Sequence, residues 1–336
     1  MMITTMTKFC PLCLKRPTPR CRNRAWLLAG LFMLLSATAR AQLFALPAPG
    51  NDIVGHVRYI KAKQSDTLLD IARRFDLGYN QIHDANPKVD MWIPGAGTRV
   101  VLPTRYILPD APRKGIVVNI AEMRLYYYPK VKPGEIPRVE TYPVSIGRQN
   151  WGTPLAATRV VAKIAGPAWY PPASIRAEHA ANGDPLPRRV APGINNPLGQ
   201  FALQLGLPGY LIHGTNKDYG VGMQVSHGCI RLYPEDISQL FSHVSDGTPV
   251  RIVNQPYKVG WDNGALYLEV HPLLDGVSVA KRNNLTPVVQ AVLKVSENQS
   301  RYPVNWNRVQ DAGSQHLGIP VKIGPVRRLG IQDASR

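Results

Sequence analysis

The order of apolar and polar positions divides the chain into segments of different period. Arg58-Tyr59-Ile60-Lys61-Ala62 reads as a short strand. Behind it, Leu68, Ile71, Ala72 and Phe75 recur at helical spacing on one face, and Asp66 stands where a side chain can cap the first turn. Gly78 ends this helix. A second helix is expected from Tyr79 to Ala85, stopping before Asn86-Pro87, because the residue before a proline is pushed out of the helical region. Gly97-Thr98-Arg99-Val100-Val101-Leu102-Pro103 returns as a strand. Residues 58–103 are thus predicted to form a self-contained strand–helix–helix–strand unit, preceded by a Pro- and Gly-containing lead-in over 42–57.

From Lys114 the pattern changes to strands. Residues 115–120 and 123–128 are predicted as a hairpin turning at Ala121-Glu122, and residues 139–147 and 159–164 alternate with period two. Many short strands with frequent Gly and Pro indicate a β-rich, sandwich-like domain, so the whole chain is predicted as multidomain α+β. Residues 167–198 interrupt the pattern with seven prolines and few periodic apolar positions, which predicts a lid or substrate-binding excursion. Strands follow at 201–205 and 210–212, the second delivering His213 at its end. A helix starts at Pro234-Glu235-Asp236, where proline suits the first turn and acids suit the positive end; Ile237, Leu240, Phe241 and Val244 form its apolar stripe. Residues 247–253 close a domain spanning 114–254. Residues 255–336 are predicted as a C-terminal α/β appendage, with a strand at 265–270 and an amphipathic helix from Thr286 to about Val295.

The N-terminus changes how composition is read. Residues 1–24 carry Lys8, Lys15, Arg16, Arg20, Arg22 and Arg24 and no acid; an apolar run follows over 25–35, then Ala39-Arg40-Ala41. This predicts a cleaved secretory signal peptide over 1–41, with an uncleaved anchor as the alternative; the run is short for a transmembrane helix. Removal of that segment takes away Cys10, Cys13 and Cys21 and lowers the formal charge from +18 to about +11. The remaining basic balance favours an acidic partner such as a carboxylate-rich wall peptide. No run of Lys and Arg interleaved with aromatics argues for nucleic acid. Cys229 is then the sole cysteine of residues 42–336. A lone thiol in an oxidising compartment is either a small buried residue or a reactive group.

Its neighbours favour reactivity. His213 lies at a strand end and His227 two residues before the sulfur, each beside a glycine. Residues two apart on an extended chain are held roughly 6–7 Å apart at Cα. His213, reaching across from a neighbouring strand, is therefore the expected base and later acid, and His227 shapes the loop. The N–H groups of Gly228 and Cys229 are expected to form an oxyanion hole, and the Gly214 carbonyl to orient the His213 ring. Arg231 is placed to hold a substrate carboxylate. A zinc site from His213, His227 and Cys229 lacks a usual spacing and a fourth ligand, so no metal or cofactor is expected.

Two resemblances add to this reading. Tyr59, Asp66-Thr67-Leu68, Ile71-Ala72, Phe75, Asn86-Pro87, Pro94-Gly95 and Val100-Val101-Leu102-Pro103 resemble a LysM module, which implies binding of N-acetylglucosamine-containing glycans. His213-Gly214-Thr215-Asn216 and Ser226-His227-Gly228-Cys229-Ile230-Arg231-Leu232 resemble the signature of the L,D-transpeptidase (YkuD-type) family, most of all its Gram-negative ErfK/YbiS/YcfS/YnhG group. Gly147, Thr153-Pro154, Asn196-Pro197-Leu198-Gly199 and Tyr257-Lys258-Val259-Gly260-Trp261 extend the match. The resemblance implies a periplasmic enzyme of a Gram-negative bacterium acting on peptidoglycan stem peptides. Cys229 would be its nucleophile, with Ser226, Asn216 and Arg231 in substrate binding. The acceptor would be another stem's diamino acid, the C-terminal lysine of an outer-membrane lipoprotein, or water. A wall-peptide cysteine hydrolase and a catalytically silent wall-binding protein are the rival expectations.

Overall fold

The structure, a computed structural model, describes residues 42–296 and 303–326. The predicted signal segment lies outside the described residues. Among the described residues, no helix is long and apolar enough to cross a membrane. The lead-in forms two strands, β1 (Gln42–Ala45) and β2 (Ile53–Gly55). The next unit follows the predicted order: β3 (Arg58–Lys61), α1 (Leu68–Arg74), α2 (Tyr79–Ala85) and β4 (Arg99–Leu102). β3 and β4 pair antiparallel, and Leu68, Ile71, Leu77, Ile82, Val100 and Leu102 form a buried cluster between strands and helices. The cap of α1 is Thr67 rather than Asp66. Thr67 Oγ1 accepts from the Asp70 N–H at 3.0 Å, and the Asp70 carboxylate accepts from the Thr67 N–H at 2.9 Å. Asp66 instead accepts from the Lys63 N–H at 2.9 Å and pairs with Arg74.

β5 (Arg105–Ile107) pairs with β2 and leads into the main sheet. Its strands are β6 (Gly115–Asn119), β7 (Arg124–Tyr128), β8 (Arg138–Pro143), β10 (Ala156–Ala165), β11 (Phe201–Leu205), β12 (Leu211–His213), β14 (Ile230–Arg231) and β15 (Pro249–Val253), with β1 at one edge. Two short strands, β9 (Ile146–Gly147) and β13 (Gln224–Ser226), pair beside it. The order is β1-β8-β7-β6-β15-β10-β11-β12-β14. β10 is the corner. Its first residues, Ala156 to Arg159, pair with β15; after Val160 a register shift turns the strand onto β11. Such an irregularity bends a strand, and here it curls one nine-stranded sheet over its own core, where the sequence suggests a sandwich. Ile116, Leu125, Tyr142, Leu203, Ile212 and Ile230 meet Ile237 and Leu240 of α4 (Pro234–His243) in that core.

β6 and β7 are buried at every position, so both faces of the hairpin are covered. Val54, Tyr106 and Leu108 cover the second face of the sheet at Val117, Tyr126 and Val139. The appendage comprises β16 (Tyr257–Asp262), β17 (Ala265–Val270), α5 (Val279–Arg282), α6 (Thr286–Ser296), α7 (Trp306–Gln315) and β18 (Val321–Val326). A buried ionic cluster fastens it to the hairpin turn: Lys258 Nζ lies 2.6 Å from Glu122 and 2.9 Å from Glu269, and His271 lies 2.7 Å from Glu269. The spacing of Glu122, Glu269 and His271 resembles a metal site. The lysine between the carboxylates already supplies the positive charge.

The helical unit is joined to the sheet by buried polar groups. Arg124 is fully buried beneath Tyr106; it donates to Thr141 Oγ1 at 2.9 Å, to the Asp76 carbonyl at 2.8 Å and to Gln81 Oε1 at 2.9 Å. α2 has glycine at its N-cap, with no side chain to satisfy the free amides. Carbonyls of the sheet domain do so: the Tyr79 N–H donates to Val221 at 2.9 Å and the Asn80 N–H to Gly222 at 3.2 Å. The backbones meet closely enough that a Cβ on Gly222 would lie 2.3 Å from the Gly78 Cα.

Asp76 and Asp236 meet as two buried carboxyls at this junction. Burial raises both pKa values, and that of Asp76 rises to about 6 from 3.8. The folded chain therefore holds a proton that the unfolded chain has released, and stability falls as pH rises from about 4 through 6. Asp76→Asn keeps an acceptor for the Gln42 N–H, and Asn tolerates the left-handed backbone at φ 53°. In urea denaturation this variant is expected to be more stable than wild type at pH 7, by up to about 2–3 kcal/mol, and equal to it near about pH 4. An unchanged difference across that range would contradict the assignment.

Candidate active site

β12 and β14 pair in parallel over two residues, Ile212 with Ile230 and His213 with Arg231. The Leu232 N–H extends the pairing to the His213 carbonyl at 2.9 Å, and Ser145 holds the other side of Arg231 through two backbone hydrogen bonds of 2.8 and 3.0 Å. Cys229 directly precedes β14, so its sulfur sits beside the strand that ends in His213. The sulfur reaches the Gly209 carbonyl at 3.6 Å and the Leu211 backbone.

His213 is 4% exposed. Its Nδ1 lies 2.6 Å from the Gly214 carbonyl. A carbonyl only accepts, so Nδ1 carries the hydrogen and Nε2 keeps its lone pair. Burial, with Arg231 adding to it, pushes the imidazole pKa down to about 3. Burial pushes the Cys229 thiol up, with the Leu211 backbone and Arg231 opposing. Both shifts favour the uncharged forms, an imidazole with Nε2 left as an acceptor and a thiol, which suits the expected role of His213 as a base.

The loop before the sulfur is held from within. Ser226 Oγ donates to the Cys229 carbonyl at 2.5 Å and accepts from the Gly228 N–H at 3.1 Å. This corrects two expectations. Ser226 is buried as a loop staple rather than facing substrate, and the Gly228 N–H is committed to it rather than free for an oxyanion. Gly228 adopts φ 105°, and a Cβ there would come 2.9 Å from the Tyr210 ring. Thr153 adds an outer brace, accepting from the Gly147 N–H at 2.9 Å and donating to the Gly228 carbonyl at 2.8 Å.

His227 meets the Pro-rich excursion. That segment contains an unpredicted helix, α3 (Ala173–Ala181), and its two ends are pinned by buried Asn196, whose Nδ2 donates to the Pro167 carbonyl at 2.8 Å. Glu178 of α3 pairs with Arg148 and lies 3.2 Å from His227 Nε2, while the Trp151 ring meets His227 edge-on at 5.1 Å. Burial lowers the His227 pKa, and Glu178 opposes this. Glu178, Arg148 and Trp151 were not singled out by sequence reasoning; no local pattern links positions so far apart.

Arg231 is half-buried, and among the described residues no carboxylate lies within ion-pair distance of it. Its Nε has no hydrogen-bond partner, and burial lowers its pKa. Asn216 is exposed and donates to the Asn195 carbonyl at 3.2 Å. It lines a cleft of about 610 Å³ with Gly193, Ile194, Gly199 and Thr215, beyond the end of β12.

Residues 113–252 match the YkuD family, the L,D-transpeptidase catalytic domain. Probable L,D-transpeptidase YcfS of Escherichia coli is 44% identical over 243 residues, covering 70% of this chain and 75% of the relative. Probable L,D-transpeptidase ErfK/SrfK of Salmonella typhimurium is 38% identical over 305 residues, 88% of this chain and 95% of the relative. Probable L,D-transpeptidase YbiS of Escherichia coli is 38% identical over 293 residues, 85% of this chain and 94% of the relative. The likeness thus runs through the helical unit and the appendage as well as the curled sheet, and the chain belongs to the YkuD family of enzymes and is an L,D-transpeptidase.

Proposed function

We propose that the chain acts on peptidoglycan stem peptides in the Gram-negative periplasm, with Cys229 as nucleophile and His213 as base. The observation that carries this reading is the buried His213 ring, its Nδ1 held by the Gly214 carbonyl, at the end of the strand paired in parallel with the one that follows Cys229. The sulfur attacks the carbonyl on the L-centre of the third residue of a tetrapeptide as its proton passes to His213 Nε2. The C–N bond to the terminal D-alanine then breaks, and His213 returns the proton to the departing amine. An incoming amine attacks the thioester, gives its proton to His213, and the thiol is restored. The acceptor is a second stem's diamino acid or the terminal lysine of a lipoprotein.

With the Gly228 amide engaged, the Cys229 N–H is the backbone donor assigned to the developing oxyanion. Arg231, a cation without a carboxylate partner among the described residues, holds the terminal carboxylate of the donor peptide. The excursion, latched through Glu178, Arg148 and His227, forms a lid that keeps water from the thioester. Residues 58–103 serve as a LysM-like module that keeps the enzyme on glycan strands, residues 114–254 as the catalytic domain and 255–336 as a supporting appendage.

Mass spectrometry of products from disaccharide tetrapeptides, with and without a lipoprotein C-terminal peptide, tests the reaction. Dimers lacking one D-alanine, or a lysine-linked adduct, are expected and should vanish in Cys229→Ala. Tripeptide alone would make the protein a hydrolase, and product formation that survives the substitution would remove Cys229 from the chemistry.

The neutral resting pair makes a second prediction. Iodoacetamide labelling of Cys229 should keep accelerating with pH beyond about 8.5, the ordinary thiol value. A plateau starting near neutrality would indicate a preformed thiolate. For the lid, Glu178→Gln should raise the ratio of hydrolysed to amine-transferred product several-fold while D-alanine release continues. An unchanged ratio would exclude Glu178 from guarding the thioester.

A further inference from the structure

A second cleft, of about 790 Å³, lies between the helical unit and the catalytic domain. Thr67, Leu69 and Trp92 contribute from one side, Tyr219 and Glu235 from the other. Trp92 and Tyr219 are each 63% exposed, so both side chains are accessible to a ligand. Large aromatic side chains left this open on both walls of one cleft mark a binding surface.

The polar groups limit what can bind there. Arg73 reaches across the cleft, donating to Glu235 at 3.0 and 3.1 Å and pairing with Asp218. Arg74 is tied to Asp66. These cations already have carboxylate partners, which leaves no free positive charge for a phosphate or carboxylate polymer. Aromatic walls with an ion-paired floor suit an uncharged chain of rings rich in hydroxyl and amide groups.

One wall of the cleft belongs to the segment that carries the candidate site. Tyr219 lies in the loop between His213 and Cys229, and the Arg231 guanidinium feels both the Tyr219 phenol and the Cys229 sulfur. Three extended residues span at most about 10 Å, so a substrate attacked at its third residue brings its sugar attachment point close to the sulfur. A glycan laid along Tyr219 satisfies that constraint.

We infer that this shared cleft binds a β-1,4-linked N-acetylhexosamine strand, with Trp92 stacking from the helical unit and Tyr219 from the catalytic domain. The inference rests on the glycan-binding reading of residues 58–103 and adds that the catalytic domain completes the site. The two domains would then hold one strand together and deliver its stem peptide to Cys229.

The test is calorimetric titration of the full chain, as Cys229→Ala to prevent turnover, with a soluble N-acetylglucosamine hexamer. Trp92→Ala and Tyr219→Ala are each expected to weaken binding about tenfold, as loss of one stacking ring implies, and Trp92→Phe and Tyr219→Phe to restore most of it. Thermal melts confirm that each variant is folded. Loss with Trp92→Ala but not with Tyr219→Ala would confine the site to the helical unit, overturning the shared cleft while sparing the glycan-binding reading. Binding indifferent to both would overturn the cleft outright. No binding by the parent chain would overturn both readings.

Discussion

Two parallel backbone pairings, Ile212 with Ile230 and His213 with Arg231, are the constraint on which the site depends. Strands this short have little stability of their own. They are held because Ser145 pairs with Arg231 from the far side and the Leu232 amide closes the pairing at His213. The register fixes which residues meet. A shift of one residue would exchange the faces of the strand and turn His213 or the residues following Cys229 away from the site. The loop between His213 and Cys229 docks against the helical unit, while the strands on either side of it stay fixed by this pairing.

That docking joins parts that look independent in sequence. α2 has glycine where a side-chain cap is usual, and its first amides donate to Val221 and Gly222 of the loop that leads to Cys229. Arg124 binds both the end of α1 and the start of α2 from within the sheet. Asp76 meets Asp236 at the first turn of α4, the helix that follows the Cys229 strand. Burying a cation and two carboxyls in one junction is costly unless each is supplied with partners. The network gives the helical unit a fixed orientation relative to the site, which a flexible tether would not.

Desolvation sets the chemistry. The same burial that lowers the His213 pKa raises that of Cys229, so both groups are shifted toward their uncharged forms. Arg231 stays nearby without a carboxylate partner among the described residues, and its charge is available to a substrate. Ser226, Gly228 and Thr153 act as architecture: their hydrogen bonds fix the backbone beside the sulfur.

The sequence by itself determined the elements whose signals are local. The period over Leu68–Phe75 and the stop at Asn86-Pro87 specified α1 and α2, short apolar runs bounded by Gly and Pro marked most of the sheet strands, and the isolated thiol with His213-Gly214 marked the candidate site. Tertiary structure decided whatever depended on partners distant in sequence. Thr67 displaced Asp66 as the α1 cap once Asp66 was taken by Lys63 and Arg74. Ser226 and Gly228 turned inward because the tight loop at φ 105° brings the hydroxyl onto the amide. α3 formed within a proline-rich segment whose ends Asn196 ties together, and only that closure brings Glu178 to His227 across 49 residues. Side-chain type and spacing encode local conformation and chemical potential; register, burial and pairing with distant residues exist only after the chain has closed on itself.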